Sequence, residues 1–203
     1  MAAAINVPRL SEAEYLALER AAPVKSEFFG GELFAMAGGS PMHSLIAANL
    51  IRELGTKLKG RPCKPFTSDL RLKVEATGLC TYPDVSVICG PLLLAAGTDD
   101  TVVNPSLLIE VLSDSTEAYD RGEKFLHYRQ MASLNEYLLV SQCLARIEQF
   151  LRRPNDEWAM RTVEGREATL TLPSLEITIE LNEVFAGVDF VPASIRTQIR
   201  PPV

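Results

Sequence analysis

The chain has 203 residues, enough for one domain (1–203) with a sizeable core, and its 47% hydrophobic and 23% charged residues exclude a disordered or fibrous protein. A formal net charge of −6 argues against a protein that coats nucleic acid nonspecifically, because phosphate binding draws on an excess of Lys and Arg. No run reaches the roughly 18 uncharged apolar residues of a membrane helix, and the opening MAAAINVPRLSE lacks a basic segment followed by an apolar one; the expected location is the cytoplasm.

Ser11-Glu12-Ala13-Glu14 has the spacing of a capping box and predicts a short helix to about Arg20, closed by Pro23. KSEFF and ELFAM, joined by Gly30-Gly31, predict a β-hairpin. Ser40-Pro41 supplies an N-cap and a first-turn proline, and Met42, Ile46, Leu50, Leu54 and Leu58 form one apolar stripe until Gly60 ends the helix. Leu70, Leu72 and Val74 alternate with Arg71 and Lys73, as in a half-buried strand. TYPDVSVIC and PSLLIEVL are two strongly apolar β runs, a second helix is expected over about 120–132, and EYLLVS is a buried strand after it. The remainder divides into short strands at Pro154-Asn155, Glu164-Gly165 and Pro173-Ser174, and the tail at Pro201-Pro202 is expected to be loose. This order gives an α/β fold: a mixed central sheet flanked by helices, with an antiparallel C-terminal extension. Cys63, Cys80, Cys89 and Cys143 lack C-x-x-C spacing and have only His43 and His127 beside them, so they are read as reduced and structural rather than as a zinc site.

Two acids interrupt the apolar runs. Glu110, inside Leu107-Leu108-Ile109-Glu110-Val111-Leu112, would cost several kcal/mol if buried alone. It needs a metal ion, a basic side chain or a strand end open to solvent. Asp84 follows Pro83 at the mouth of the preceding run and poses the same question. Carboxylates at neighbouring strand ends make a hard-oxygen site of the kind Mg²⁺ uses, with water and phosphate filling the remaining positions. The alternative is a turn aspartate and an edge-strand glutamate.

TYPDVSVICG and PSLLIEVLSDSTEAYDRGEKFLHYRQMASLNEYLLV resemble a bacterial family of restriction-endonuclease-like proteins within the PD-(D/E)XK nuclease superfamily. The likeness extends from SEFFGGELFAMAGGSPMH through TSDLRLKV to LEITIELNEVF. It implies a restriction-endonuclease-like core, Mg²⁺ dependence with Mn²⁺ as a substitute, DNA as substrate, and a homodimer, since two strands need two sites. Asp84 and Glu110 would hold the metal. The superfamily lysine two residues after the second acid is Leu112 here, and the resemblance moves it to the following helix as Lys124, with Tyr128 one turn on. Asp120 and Glu123 have N-cap and N3 spacing for that helix.

Glu27 matches a glutamate common near the start of the family and, with Asp69 and Tyr128, is a candidate supporting residue. Asp69 is equally readable as a turn residue. His43 and His127 are read as surface side chains without a catalytic role. Arg52, Lys57, Lys59, Arg61, Lys64, Arg71 and Lys73 form a locally basic stretch, either a solvated face or a track for the DNA backbone. The competing function is a non-catalytic module that binds nucleic acid or protein on a degenerate nuclease scaffold.

Overall fold

The computed structural model describes residues 9–36 and 38–190; the first eight residues of the opening segment and the tail at Pro201-Pro202 lie outside them. Helix α1 (Glu12–Ala21) begins with a complete capping box, in which the Ser11 N–H donates to Glu14 Oε2 and the Glu14 N–H to the Ser11 hydroxyl. Strands β1 (Ser26–Phe29) and β2 (Glu32–Ala35) pair around Gly30 and Gly31, whose φ values of +60° and +87° are those a two-residue hairpin turn demands. Helix α2 (Pro41–Lys57) is capped by the Ser40 hydroxyl and buries Ile46, Leu50 and Leu54. Strands β3 (Cys63–Thr67), β4 (Arg71–Val74), β5 (Leu79–Thr81), β6 (Val85–Cys89), β7 (Thr101–Val102) and β8 (Leu107–Leu112) follow. Helices α3 (Glu117–Arg121) and α4 (Glu123–Tyr128) lead to β9 (Glu136–Ser141), β10 (Arg146–Arg152), β11 (Trp158–Glu164), β12 (Thr169–Leu172), β13 (Ile177–Glu180) and α5 (Leu181–Val184).

The fold is mixed α/β, as expected, but it is built on two large sheets. A six-stranded sheet, β11-β10-β9-β8-β6-β3, has β8 and β9 parallel and its other pairs antiparallel. A five-stranded sheet, β2-β1-β5-β4-β7, packs beside it, and β12 and β13 form a separate ribbon. All six residues of β8 are buried, so both its faces are covered. Leu107, Ile109 and Val111 join α2 and the β12–β13 ribbon in one core; Leu108 and Leu112 join Tyr128, β4 and β9 in the other.

Three local expectations need correction. TYPDVSVIC is two strands, because Pro83 offers no N–H to a ladder and the chain crosses there from one sheet to the other. The helix expected over 120–132 is two short ones meeting at Gly122, where a Cβ would stand 3.1 Å from the Ala118 carbonyl. Asp120 therefore lies inside α3 and is not the N-cap of α4. Cys63 and Cys89 face each other across β3 and β6 and form a disulfide, so those two are not reduced thiols; Cys80 remains a buried thiol. Among the described residues no helix is long and apolar enough to cross a membrane.

Candidate active site

Strand register brings the two acids together. Val85 pairs with Ile109, so Asp84, one residue before β6, falls opposite Glu110. Period-two alternation then points Glu110 to the face of Leu108 and Leu112, toward α4. The Asp84 N–H donates to Glu110 Oε2 at 3.4 Å, and the Val111 N–H donates to Asp84 Oδ2 at 2.7 Å. Lys124 reaches Glu110 from α4: its Nζ lies 3.0 Å from Glu110 Oε1, 3.0 Å from Glu27 Oε1 and 3.4 Å from Asp120 Oδ1. One turn on, Tyr128 donates to Glu110 Oε1 at 2.8 Å. Glu27, from β1, also accepts from the Thr81 hydroxyl of β5. Both large sheets and α4 thus contribute to one cluster.

Sequence reasoning missed His43. It sits in the first turn of α2, but Ile46, Leu50 and Leu54 carry its stripe into the core, so the side chain meets the sheet end instead of solvent. Its Nε2 stands 3.1 Å from Asp84 Oδ2, with the two side chains 18% and 17% exposed. The ring also makes a backbone hydrogen bond to Val111, necessarily to the carbonyl, because only an acceptor favours the protonated ring. The available signal was Gly38-Gly39 ahead of the capped helix. A Cβ at Gly39 would lie 2.6 Å from His43 Nδ1, so this position must be small for the ring to sit where it does. The ion pair partner, 41 positions away, carries no sequence signature.

The cluster is short of positive charge: Glu27, Asp84, Glu110 and Asp120 surround Lys124 and His43. Burial pushes the Glu110 carboxyl up to about 8, against the pull of Lys124, and burial raises Asp120 as well. Burial also opposes the charge on Lys124, but Glu110, Glu27 and Asp120 outweigh it and hold the ammonium well above the ordinary lysine range. Lys124 is a permanent cation, suited to stabilising negative charge and unsuited to accepting a proton. The hydrogen bond to Asp84 raises His43 above its usual value despite burial.

Among the described residues no three His, Cys, Asp or Glu side chains stand ready-made around a metal position. The donors present nevertheless fit a hard dication: the Asp84 and Glu110 carboxylates are oxygens, the local charge is negative, and Asp84 is partly exposed.

Other candidates lie elsewhere. Asp69 is an exposed turn residue paired with Lys25. Arg71 is buried, bonded to Tyr82, Thr101 and Asp100. Arg52 pairs with Glu183, Arg61 with Glu176 and Lys73 with Glu12. Lys57, Lys59 and Lys64 are exposed, but they do not lead to the cluster. Lys57 ends α2, about 20 Å along the axis from His43, and Lys64 pairs with Ile88 at the end of β6 opposite Asp84. His127 is half-buried against the Phe29 ring.

Residues 12–182 match the Uma2 family, whose description is "Putative restriction endonuclease". Two proteins of Synechocystis sp. (strain ATCC 27184 / PCC 6803 / Kazusa) are each 36% identical to the chain. Uncharacterized protein slr1290 aligns over 90% of this chain and 95% of its own length, and Uncharacterized protein sll1609 over 83% and 95%. The fold is similar to the crystal structure of a putative nuclease belonging to DUF820 from Anabaena variabilis ATCC 29413, with a TM-score of 0.72 at 17% identity, covering 87% of this chain and 98% of that one. With a family match running from α1 through the start of α5 and two relatives aligned nearly end to end, the chain belongs to the Uma2 family of restriction-endonuclease-like proteins.

Proposed function

We propose that this protein is a metal-dependent endonuclease that hydrolyses phosphodiester bonds in DNA, with Asp84 and Glu110 as metal ligands and Lys124 as the residue that meets the phosphate. The observation that carries this reading is the 3.0 Å approach of Lys124 Nζ to Glu110 although the usual position, 112, is a leucine. The family description and the nuclease named in the Anabaena variabilis structure support the same reaction class.

A bound Mg²⁺ or Mn²⁺ would supply Lewis acidity at a phosphoryl oxygen and acidify a water nucleophile. The protein's own part is positioning. Asp84 is fixed by the Val111 N–H, and Glu110 by Tyr128 and Lys124, so both carboxylates are held before substrate arrives. Lys124 has three N–H donors shared among three carboxylates. Turning one away from Asp120, its longest contact, offers a donor to the phosphate while Glu27 and Glu110 keep the chain anchored. Such a donor stabilises the charge that builds up as water adds to phosphorus. Cutting a duplex takes two such sites, which makes a homodimer the proposed acting form.

The test is incubation with linear, supercoiled and single-stranded DNA plus Mg²⁺ or Mn²⁺. Cleavage is expected to stop with a chelator or in Asp84→Ala, and to slow by about 10²–10³-fold in Lys124→Met, the usual loss of one transition-state donor. No cleavage of any substrate, or undiminished cleavage by Asp84→Ala, overturns the proposal.

A further inference from the structure

Beyond β7, at the outer edge of the five-stranded sheet, residues 93–95 run antiparallel to 101–103. Leu94 pairs with Val102, flanked by the Ala95 N–H bonded to the Thr101 carbonyl at 2.8 Å and the Val103 N–H bonded to the Leu93 carbonyl at 3.0 Å. Asn104 braces the segment: its side chain accepts the Leu93 N–H at 2.9 Å and donates to the Pro91 carbonyl at 3.0 Å. In such a pair the N–H and C=O of Leu94 itself are turned away from the sheet, and neither has a partner among the described residues. Leu92, Leu93 and Leu94 are 46%, 55% and 46% exposed.

An open strand edge normally carries a charge or a proline that discourages further pairing. The other outer strands of the two large sheets do so: β2 has Glu32, β11 has Arg161 and Glu164, and β3 has Lys64 and Pro65. The run Cys-Gly-Pro-Leu-Leu-Leu-Ala-Ala-Gly-Thr from Cys89 to Thr98 has no charge, and its proline, Pro91, lies ahead of the free rung at Leu94. A straight, braced and uncharged edge with three exposed leucines offers nothing to a phosphate or any other charged ligand. It matches a strand of its own kind.

We infer that this edge joins two copies of the chain, antiparallel across a two-fold axis at Leu94, into one continuous sheet. A strand paired with itself in this way is self-complementary: each Leu94 N–H donates to the Leu94 carbonyl of the second copy, and the reciprocal bond closes the rung. The same register sets Leu93 opposite Ala95 and Leu92 opposite Ala96, a large side chain against a small one. It also keeps the acidic clusters clear of the contact. Leu94 pairs with Val102, Val102 with Leu72 and Leu72 with Thr81, whose hydroxyl bonds Glu27. Seven strand spacings of about 4.8 Å then separate the two Thr81 residues, roughly 34 Å. This gives the homodimer of the proposed function its contact surface, and rests on that reading only for the use to which the dimer is put.

The test is sedimentation equilibrium without DNA or metal. The contact is small, so the wild type should be a dimer dissociating at about micromolar concentration. Because position 94 meets itself at the axis, Leu94→Lys and Leu94→Glu should each weaken the dimer by about 100-fold or more through like-charge repulsion, while an equimolar mixture of the two should recover it. Met160→Lys, an equally exposed position on β11, should leave the dimer intact, and thermal melts should show all three variants folded. A wild type that stays monomeric at high concentration, charge variants that still dimerise, or a mixture that stays monomeric each overturns the inference. None of these results touches the nuclease chemistry, which the cleavage assay tests separately.

Discussion

Lys124 holds three carboxylates together from inside the fold, with 5% of its surface exposed, and this predicts what its removal does. In Lys124→Met, Glu110, Glu27 and Asp120 lose their shared cation, and breaking a buried ion pair typically costs about 3–5 kcal/mol. The loss should depend on pH. Burial already raises Glu110 and Asp120 in the folded protein, and without the lysine they rise further and take up protons more readily. Denaturant unfolding should therefore show a large deficit at pH 8 that shrinks toward pH 5; an equal deficit at both would mean that the three acids are not held by this charge. Tyr128→Phe should cost less, about 1–3 kcal/mol, because Glu110 keeps its ion pair and loses one buried donor. Asp84 and Glu110 were legible because charge inside an apolar strand demands a partner. Lys124 needed the family resemblance, since its spacing resembles that of any surface helix lysine. His43 was illegible because α2 has the same apolar stripe whether its first turn meets water or the end of a sheet.

At the scale of elements, the β3–β6 pair differs most from the sequence reading. Closing a 26-residue separation with the Cys63–Cys89 bond should stabilise the protein by roughly 3–4 kcal/mol, chiefly by restricting the unfolded chain. Melting with and without reductant tests this: the oxidised wild type should melt several degrees higher than the reduced form, and Cys63→Ser should be insensitive to reductant. The bond ties down an edge strand that contains Pro65, which has no N–H for a ladder. Cysteine spacing could not reveal it, since facing positions depend on register. The hairpin and the capped helices were readable because Gly30-Gly31, Ser11 with Glu14, and Ser40-Pro41 act within a few residues. The break at Gly122 was not, although it brings Asp120 and Lys124 into contact from two helices.

Over the whole molecule, element order identified the α/β class, but which strands share a sheet depends on long-range pairing, so one central sheet was expected where there are two. Their junction holds a surplus of acid that sets the pH dependence. The folded-state pKa of Glu110 is raised by burial, so its contribution to stability is complete below about 4.5 and is lost as pH rises toward 8. His43, raised by Asp84, acts in the same direction above about 6.5. Asp100 is held low by Arg20 and Arg71, and it withdraws stability only as pH falls below the usual aspartate range. Metal-free protein should be most stable near pH 5 and lose on the order of 1–3 kcal/mol by pH 8. Saturating Mn²⁺ should reverse much of that decline; a flat metal-free profile would contradict it. The hydrogen bond from Val111 to Asp84 gives this acid surplus a built-in sensor. Beyond the last paired residues of β6 and β8, the ladder gains one more rung made of a carboxylate in place of a peptide carbonyl. A cation that draws on Asp84 would also draw on that amide. A single nuclear resonance, the Val111 ¹⁵N–¹H pair, should therefore shift on addition of Mn²⁺'s diamagnetic counterpart Mg²⁺, with no probe attached.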